Sequence, residues 1–218
     1  MRGEVSIGEN QMTPLQSHTA RNYPSKRALD LALLAIGALP AAAAALACAA
    51  AVRLSGPGPI LFRQERIGRN GKRFVALKFR TMTDGSNPLF PDESRITCAG
   101  RVLRRASLDE LPQLINVLRG EMSIVGPRPA LPYQVARYDA RQRGRLSVLP
   151  GLTGLAQING RNALTWTERI EWDLAYVKRQ SPGLDLRIVV RTIAVVATGA
   201  GAKGHPTDDP ISQIATDD

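Results

Sequence analysis

Two adjacent carboxylates, Asp109 and Glu110, are the residues of this sequence best suited to chemistry on phosphorylated molecules. Three arginines closely precede them, Arg101, Arg104 and Arg105, and could gather phosphate oxygens. One of the two carboxylates could hold a divalent cation. Because phosphoryl transfer needs a nucleophile, a metal to spread charge and cationic clamps, the segment is a candidate site for that reaction.

The same segment also allows a purely structural interpretation. Ser107-Leu-Asp-Glu110 matches the Ser-x-x-Glu capping box, in which the serine caps a helix and the glutamate reaches back to the cap's amide. Both interpretations place the carboxylates at the positive end of a helix, where anions are favoured. The helix that follows is predicted by apolar residues at helical spacing, which would form one stripe: Leu111, Leu114, Ile115 and Leu118.

Two other clusters could bind phosphate. Arg128 stands between prolines in Gly126-Pro-Arg-Pro129, and the rigid backbone could preorganise its guanidinium as a bidentate phosphate ligand. A buried turn in which Arg128 pairs with an acidic neighbour explains the motif equally. The segment Lys78-Phe-Arg-Thr-Met82 places alternate basic residues on one face of a strand, and taken alone this pattern favours a solvated edge strand over a phosphate site.

A long apolar segment precedes these clusters. Residues 31–52 carry no charge, and as a helix they would extend about 33 Å, enough to cross a bilayer core of about 30 Å. Pro40 lies near the middle, where it tends to kink or break a helix. Basic residues flank both ends (Lys26, Arg27 and Arg53), and positive flanks stay cytoplasmic. We therefore predict a re-entrant membrane helix broken at Pro40 in preference to a helix that crosses the membrane once, and both in preference to an Ala-rich core helix.

The rest of the chain predicts an α+β fold, with helices and a short β-hairpin in a small cytosolic domain. Strand candidates at 60–62 and 74–77 flank the turn-like segment 68–71. Helices are predicted for 167–179 and 185–198. We predict four segments: a flexible leader (1–25), the membrane helix (26–54), a catalytic domain (55–199) and a flexible tail (200–218).

Composition limits the class of partner. The net charge is +10, from 29 Lys and Arg against 19 Asp and Glu, which predicts anionic partners such as nucleic acid, acidic lipid or phosphorylated small molecules. With 5% aromatic residues the chain offers few platforms for stacking bases, so a membrane-tethered basic binding protein is the weaker alternative. Two cysteines (Cys48 and Cys98) and two histidines (His18 and His205) lack the spacing of a zinc site or redox pair.

Read in chain order, the motifs resemble the bacterial sugar transferase family, monotopic phosphoglycosyl transferases that start glycan assembly on polyprenol phosphate. The resemblance extends over about Lys26 to Gly199. It rests on Lys26-Arg27 with Asp30, Phe62-Arg-Gln-Glu-Arg66-Ile-Gly68, Lys78-Phe-Arg-Thr-Met82, Ser107-Leu-Asp-Glu-Leu-Pro-Gln113, Asn116-Val-Leu118, Met122-Ser-Ile-Val-Gly-Pro-Arg-Pro129, Pro150-Gly-Leu-Thr-Gly154 and Gln157-Ile-Asn-Gly-Arg161.

The resemblance implies a reaction and a role for each motif residue. Asp109 would be the nucleophile that attacks the sugar-linked phosphate of a UDP-sugar and releases UMP, and Glu110 would hold the magnesium ion. Polyprenol phosphate would then take the phosphosugar from Asp109. The same comparison implies phosphate-binding or donor-binding roles for six further residues: Lys78, Arg104, Arg128, Asn159, Gly160 and Arg161.

The resemblance also implies a location and partners. Lys26, Arg27 and Pro40 would lie at the membrane interface, near anionic headgroups. Leu39 stands where family members commonly place a serine before the proline. The implied location is the cytoplasmic face of a bacterial inner membrane, and the implied partners are a UDP-sugar, polyprenol phosphate and magnesium, without nucleic acid. The sequence does not show which sugar is transferred or whether the protein forms a homodimer. A related enzyme that uses another activated donor is the second alternative.

Overall fold

The computed structural model describes residues 22–83 and 93–198, and these form a mixed helical and sheet structure. The helices are α1 (Lys26–Leu54), α2 (Cys98–Arg105), α3 (Gln113–Leu118), α4 (Pro132–Ala136), α5 (Leu155–Ile158), α6 (Trp166–Arg179) and α7 (Pro182–Thr198). The strands are β1 (Leu61–Ile67), β2 (Arg73–Phe79), β3 (Ser123–Val125) and β4 (Gly151–Thr153). Residues 1–21 of the predicted leader and the whole predicted tail lie outside the described residues.

The long apolar helix α1 is the one described helix of a length and composition that could cross a membrane. Its most apolar stretch is only 6% buried, so α1 is not the core helix of the described fold. The helix continues through Pro40, with Ile36 80% and Leu39 83% exposed around it. The predicted break into two helices at Pro40 is therefore not seen, and the re-entrant form stays a prediction.

A buried ionic network attaches the start of α1 to the rest of the protein. Lys26 Nζ lies 2.6 Å from Asp185 Oδ2 and 3.3 Å from Asp30 Oδ1. Asp30 Oδ1 also accepts hydrogen bonds from the Ser123 hydroxyl and the Ile124 amide, at 2.9 and 3.0 Å. Buried charges require partners, and here the partners lie on different elements. The network therefore holds the start of α1 against α7 and β3.

The other end of α1 packs on the same domain. Val52 is buried beside Phe79 of β2 and Leu103 of α2. Arg80, just after β2, donates hydrogen bonds to the carbonyls of Val52 at 3.2 Å and Gly56 at 2.8 Å. Since Arg80 is itself buried, the solvated edge strand considered for the Lys78–Met82 segment is wrong.

The predicted hairpin is confirmed as the antiparallel pair β1–β2, in which Leu61 faces Phe79 and Ile67 faces Arg73. Helix α3 packs beside it through the buried Asn116, whose amide bonds the backbone of Val75 and Leu77. The apolar stripe predicted at helical spacing is only partly buried: Leu111 and Leu114 are half-buried, whereas Ile115 is 41% and Leu118 57% exposed.

Strands β3 and β4 form a parallel pair that the sequence patterns do not predict. Ser123 pairs with Gly151 and Val125 with Thr153. A Cβ on Gly151 would lie 2.0 Å from the Gly126 amide nitrogen, so the two backbones can approach this closely only because glycine is present. This pairing brings the Gly126-Pro-Arg-Pro129 motif beside the Pro150-Gly-Leu-Thr-Gly154 motif.

The two predicted C-terminal helices are confirmed as α6 and α7. Thr165 and Glu168 form a capping box that starts α6. Tyr176 of α6 donates to Asp185 of α7 at 2.9 Å, within the buried network described above. Asn22, in the segment predicted as leader, also belongs to this packed region, because its side chain accepts a hydrogen bond from the Leu149 amide at 3.1 Å.

Candidate active site

Asp109 and Glu110 lie in a single 3-10 turn, Leu108–Glu110, between α2 and α3. Ser107 begins the turn in the left-handed conformation, at φ 56°, and its side chain does not cap the turn. The Glu110 side chain points to two cations rather than back to the turn. The capping box predicted for Ser107 and Glu110 is therefore wrong, and the carboxylates precede α3 instead of opening it.

Glu110 accepts hydrogen bonds from two cations in distant parts of the chain. Lys78 Nζ at the end of β2 donates to Glu110 Oε1 at 2.7 Å. The Arg128 guanidinium donates to both carboxylate oxygens, at 2.6 and 3.2 Å. Burial opposes ionisation of Glu110, yet the charges of Arg128 and Lys78 hold its pKa well below the usual range. Glu110 is thus ionised and largely neutralised by its partners.

Asp109 differs from its neighbour. Its half-buried carboxylate forms no hydrogen bond or ion pair with the described residues. Burial raises the pKa of Asp109, the charge of Glu110 raises it further, and Lys78, Arg128 and Arg104 act in the opposite direction. A desolvated carboxylate without hydrogen-bond donors is a stronger nucleophile than a solvated or paired one, so the two adjacent acids are suited to different tasks.

Further cations surround the pair. Arg104 Nε donates to Thr81 Oγ1 at 2.8 Å, which leaves the far side of its guanidinium for a ligand. Arg161 donates through Nη2 to the Ser107 hydroxyl, and its own backbone is left-handed at φ 53°. Left-handed non-glycine residues cluster at functional sites. Of the three among the described residues, Ser107 and Arg161 line the same cleft as Asp109, whereas Asn70 lies in the turn between β1 and β2.

Asn159 and Gly160 shape the turn before Arg161. The side-chain amide of Asn159 donates to the Leu155 carbonyl at 2.8 Å, at the end of α5. Gly160 has φ 155°, and a Cβ there would lie 2.8 Å from the Leu164 side chain. Of the three residues predicted to hold the donor, only Arg161 lines the cleft formed by the described residues.

The site opens into a wide cleft of about 2230 Å³. Its floor carries Asp109, Glu110 and the cations Lys78, Arg104, Arg128 and Arg161. The lining contributed by β4, α5 and α7 is mostly apolar, with a few threonines and Gln157 among the apolar side chains. The cleft therefore combines a cationic surface for phosphates with an apolar surface.

The three residues predicted for the membrane interface have defined places. Lys26 is buried and paired with Asp30 and Asp185. Arg27 donates to the carbonyls of Val117 and Leu118, at 2.5 and 2.7 Å, at the end of α3. Pro40 lies within α1. The two cations make contacts inside the protein, and their position at a membrane surface stays a prediction.

Sequence reasoning assigned no role to three charges behind the site: the half-buried Arg66 and the buried Arg145 and Asp173. Arg66 Nη1 donates to the Pro129 carbonyl at 3.1 Å. Arg145 Nη2 donates to the Arg128 carbonyl at 2.9 Å and also pairs with Asp173. The signal available in the sequence is weak, because Arg145 ends a basic stretch whose other members look equally suited to solvent.

The described residues contain no cluster of three or more His, Cys, Asp or Glu side chains that could enclose a metal ion. Magnesium, however, often binds through one or two carboxylates and completes its shell with substrate phosphates and water. Glu110 Oε2 accepts only one long hydrogen bond, at 3.2 Å, and keeps a lone pair for such an ion. The donor set fits magnesium bound together with a phosphorylated substrate.

Comparison with known proteins agrees with this geometry. The chain matches the bacterial sugar transferase family over residues 21–199. It is 48% identical to the sugar transferase EpsL of Bacillus subtilis, over 70% of this chain and 77% of EpsL. It is 39% identical to the exopolysaccharide production protein ExoY of Sinorhizobium fredii, over 82% of this chain and 88% of ExoY.

A third relative has a more specific name. The UDP-glucose:undecaprenyl-phosphate glucose-1-phosphate transferase of Caulobacter vibrioides is 43% identical, over 79% of this chain and 70% of that protein. The family match covers α1, the carboxylate turn and the four cations Lys78, Arg104, Arg128 and Arg161. This chain is therefore a sugar transferase enzyme and belongs to the bacterial sugar transferase family.

Proposed function

We propose that the protein transfers a sugar-1-phosphate from a UDP-sugar to polyprenol phosphate at the cytoplasmic face of the bacterial inner membrane and releases UMP. One observation carries the proposal: the Asp109 carboxylate, unpaired among the described residues, lies beside a neutralised Glu110 in a cleft rich in cations. The cleft lies on a domain that holds an apolar, exposed helix. These are the parts that a reaction between a soluble diphosphate and a lipid phosphate requires.

In the first half of the proposed reaction, an Asp109 oxygen attacks the sugar-linked phosphorus of the UDP-sugar. The bond between that phosphorus and the bridging oxygen breaks, and UMP leaves with the electron pair. The product is a phosphosugar ester on Asp109. Arg128 and Arg104 are placed to bind the phosphate oxygens, because both line the cleft beside Asp109.

In the second half, an oxygen of polyprenol phosphate attacks the same phosphorus. The bond to the Asp109 oxygen breaks, which regenerates the carboxylate and yields a sugar joined to polyprenol through a diphosphate. The raised pKa of Asp109 suits the first half, because a more basic carboxylate is the better nucleophile. UMP must leave before the lipid phosphate takes its place.

Magnesium would be held by Glu110 and by phosphate oxygens of the donor. When bound, it would neutralise charge that develops on the phosphates and the leaving UMP. Lys78 and Arg128 orient the Glu110 carboxylate and keep it ionised.

The packing of α1 supports a membrane site with both helix ends on one side. Lys26 at one end and Val52 at the other contact the same domain, whereas the residues between them are largely exposed. Because a domain in water lies on a single side of a bilayer, packing of both helix ends on it supports the proposed re-entrant form, which would require the continuous helix α1 to bend at Pro40 in the membrane. The apolar surface of Ile115 and Leu118 on α3 is suited to the same membrane surface.

The relatives guide the choice of substrate. A relative named as a UDP-glucose:undecaprenyl-phosphate glucose-1-phosphate transferase makes UDP-glucose the first donor to try. ExoY is named for exopolysaccharide production, which supports a place at the start of surface glycan assembly.

The test is UMP release from a panel of UDP-sugars, beginning with UDP-glucose, with polyprenol phosphate and magnesium in detergent. The wild-type enzyme should release UMP, and Asp109→Asn should lower the rate on the order of 1,000-fold or more. Asp139→Asn is the matched control, since Asp139 is an exposed aspartate outside the cleft, and should leave the rate unchanged. Undiminished UMP release by Asp109→Asn would overturn the assignment of the nucleophile.

A further inference from the structure

The loop that carries Arg128 is held by hydrogen bonds to its backbone carbonyls. Arg145 Nη2 donates to the Arg128 carbonyl at 2.9 Å, and Arg66 Nη1 donates to the Pro129 carbonyl at 3.1 Å. The Pro127 carbonyl accepts from the Gly151 amide at 2.8 Å. The side chain of Arg128 extends from this loop to both carboxylate oxygens of Glu110. The hydrogen bonds between Arg128 and Glu110 therefore depend on the position of the loop.

Arg145 is an unusual residue to find behind a catalytic loop. Its side chain is 2% exposed and forms an ion pair with Asp173, which is 1% exposed. It also donates to the Tyr138 hydroxyl, and its guanidinium lies 5.6 Å from the Tyr138 ring and 5.9 Å from the Trp166 ring. The charge thus sits among aromatic residues of an apolar cluster.

Stability alone does not account for this pair. Removing two charges from water is costly, and well-packed apolar residues in place of a buried ion pair are often as stable or more stable. Two atoms of the pair, Arg145 Nε and Asp173 Oδ1, are buried without a hydrogen-bond partner among the described residues. What an apolar pair could not supply is the planar guanidinium, which bonds Asp173, Tyr138 and the Arg128 carbonyl at the same time.

We propose that Arg145 and Asp173 are positioning residues, which fix the backbone at Arg128 and thereby the contact of its guanidinium with Glu110 beside the nucleophile. Asp173 orients Arg145, Arg145 holds the Arg128 carbonyl, and Arg128 orients Glu110. Neither Arg145 nor Asp173 lines the cleft formed by the described residues, so both act through Arg128 and not on substrate. The inference rests on the proposed function, because its effect is measured as UMP release.

The experiment replaces the ion pair by apolar residues in the full-length enzyme. The variant R145M/D173L should keep its fold, with a melting temperature equal to or above that of the wild type. Its kcat/KM for UDP-glucose, measured as UMP release with undecaprenyl phosphate and magnesium, should fall about 10- to 100-fold, the usual effect of losing the support of a site residue.

A matched control is available between the same parts of the chain. Arg141 and Glu171 also form an arginine–carboxylate pair that joins α6 to the segment before Arg145, but this pair is exposed and does not contact Arg128. R141Q/E171Q should leave kcat/KM and the melting temperature unchanged. A similar loss of activity in both double variants would overturn the proposal.

A double-mutant cycle with Arg128→Lys tests whether the effect passes through Arg128. In that background the guanidinium is already absent, so R145M/D173L should lower kcat/KM much less than it does in the wild type. If the loss keeps its full size, or if R145M/D173L has wild-type kinetics, the positioning role is wrong.

A conservative variant covers the case in which R145M/D173L does not fold. Arg145→Lys keeps the charge, but its single nitrogen cannot take the two positions from which Arg145 Nη1 bonds Tyr138 and Nη2 bonds Asp173 and the Arg128 carbonyl. It should show the same loss and the same dependence on Arg128. Absence of UMP release by the wild-type enzyme would overturn the proposed function, whereas an active wild type with fully active Arg145 variants would overturn this inference alone.

Discussion

At the residue scale, Asp109 and Glu110 are neighbours with opposite environments. Glu110 accepts hydrogen bonds from two cations, whereas Asp109 accepts none from the described residues. Coulombic interaction links them, because the ionised Glu110 helps to raise the pKa of Asp109. The two adjacent carboxylates therefore have different roles: Glu110 is an anion fixed by its ion pairs, and Asp109 is the reactive carboxylate.

The coupling predicts opposite shifts of the pH profile. The rate of UMP release should fall as pH drops through the pKa of Asp109, because a protonated Asp109 cannot attack. Glu110→Gln removes a charge that raises this pKa, so the acid limb should move to lower pH. Lys78→Met removes a charge that lowers it, so the acid limb should move to higher pH.

The measurement is kcat/KM for the donor as a function of pH in both variants. The plateau should drop about 10- to 100-fold in each, since Glu110 and Lys78 support the site. The two shifts carry the test, because general damage to the fold would not move the acid limb in opposite directions. Shifts of the same sign, or none, would contradict the assignment of the acid limb to Asp109.

At the scale of elements, α1 is the feature that combines a membrane segment with a structural role. Its start is held by the buried carboxylates Asp30 and Asp185, and its end by Arg80. We expect both ends to stay at the cytoplasmic face while the middle enters the bilayer.

Cysteine labelling in membrane vesicles tests this topology. In a Cys48→Ala background the exposed Cys98 reports the side on which the domain lies. Ser17→Cys, with Cys98 removed, should label from the same side as Cys98. Leu39 is 83% exposed in the protein. In membranes, however, the cysteine of Leu39→Cys should resist a water-soluble maleimide added from either side. Labelling of Ser17→Cys and Cys98 from opposite sides would contradict re-entry.

Elements whose signals are local could be predicted from the sequence. The hairpin β1–β2 has its turn residues between two short apolar runs, and α6 and α7 have helical periodicity. The apolar spacing at 111–118 could predict a helix but not the face that it buries, because Gln113 and Asn116 are buried while Ile115 and Leu118 are exposed. The parallel pair β3–β4 depends on contacts between distant glycines, which no local pattern reveals.

At the scale of the whole molecule, the site is assembled from segments far apart in the chain. Lys78, Glu110 and Arg128 could each be identified as candidates from their motifs, but not their mutual contact. The inward direction of Arg145 could not be predicted either, since burial depends on the position of Asp173 on α6. The net charge of +10 fits a protein that binds a nucleotide sugar and a lipid phosphate, both anionic.

The central claim is that Asp109 carries the phosphosugar between the two substrates, and mass spectrometry tests it most directly. The enzyme is mixed with magnesium and UDP-glucose, or the best donor of the panel, without polyprenol phosphate and is quenched rapidly. We predict a burst of about one UMP per enzyme and a phosphosugar mass addition on the peptide that contains Asp109, both absent in Asp109→Asn. UMP release that occurs only when polyprenol phosphate is present, with no adduct on that peptide, would contradict the account.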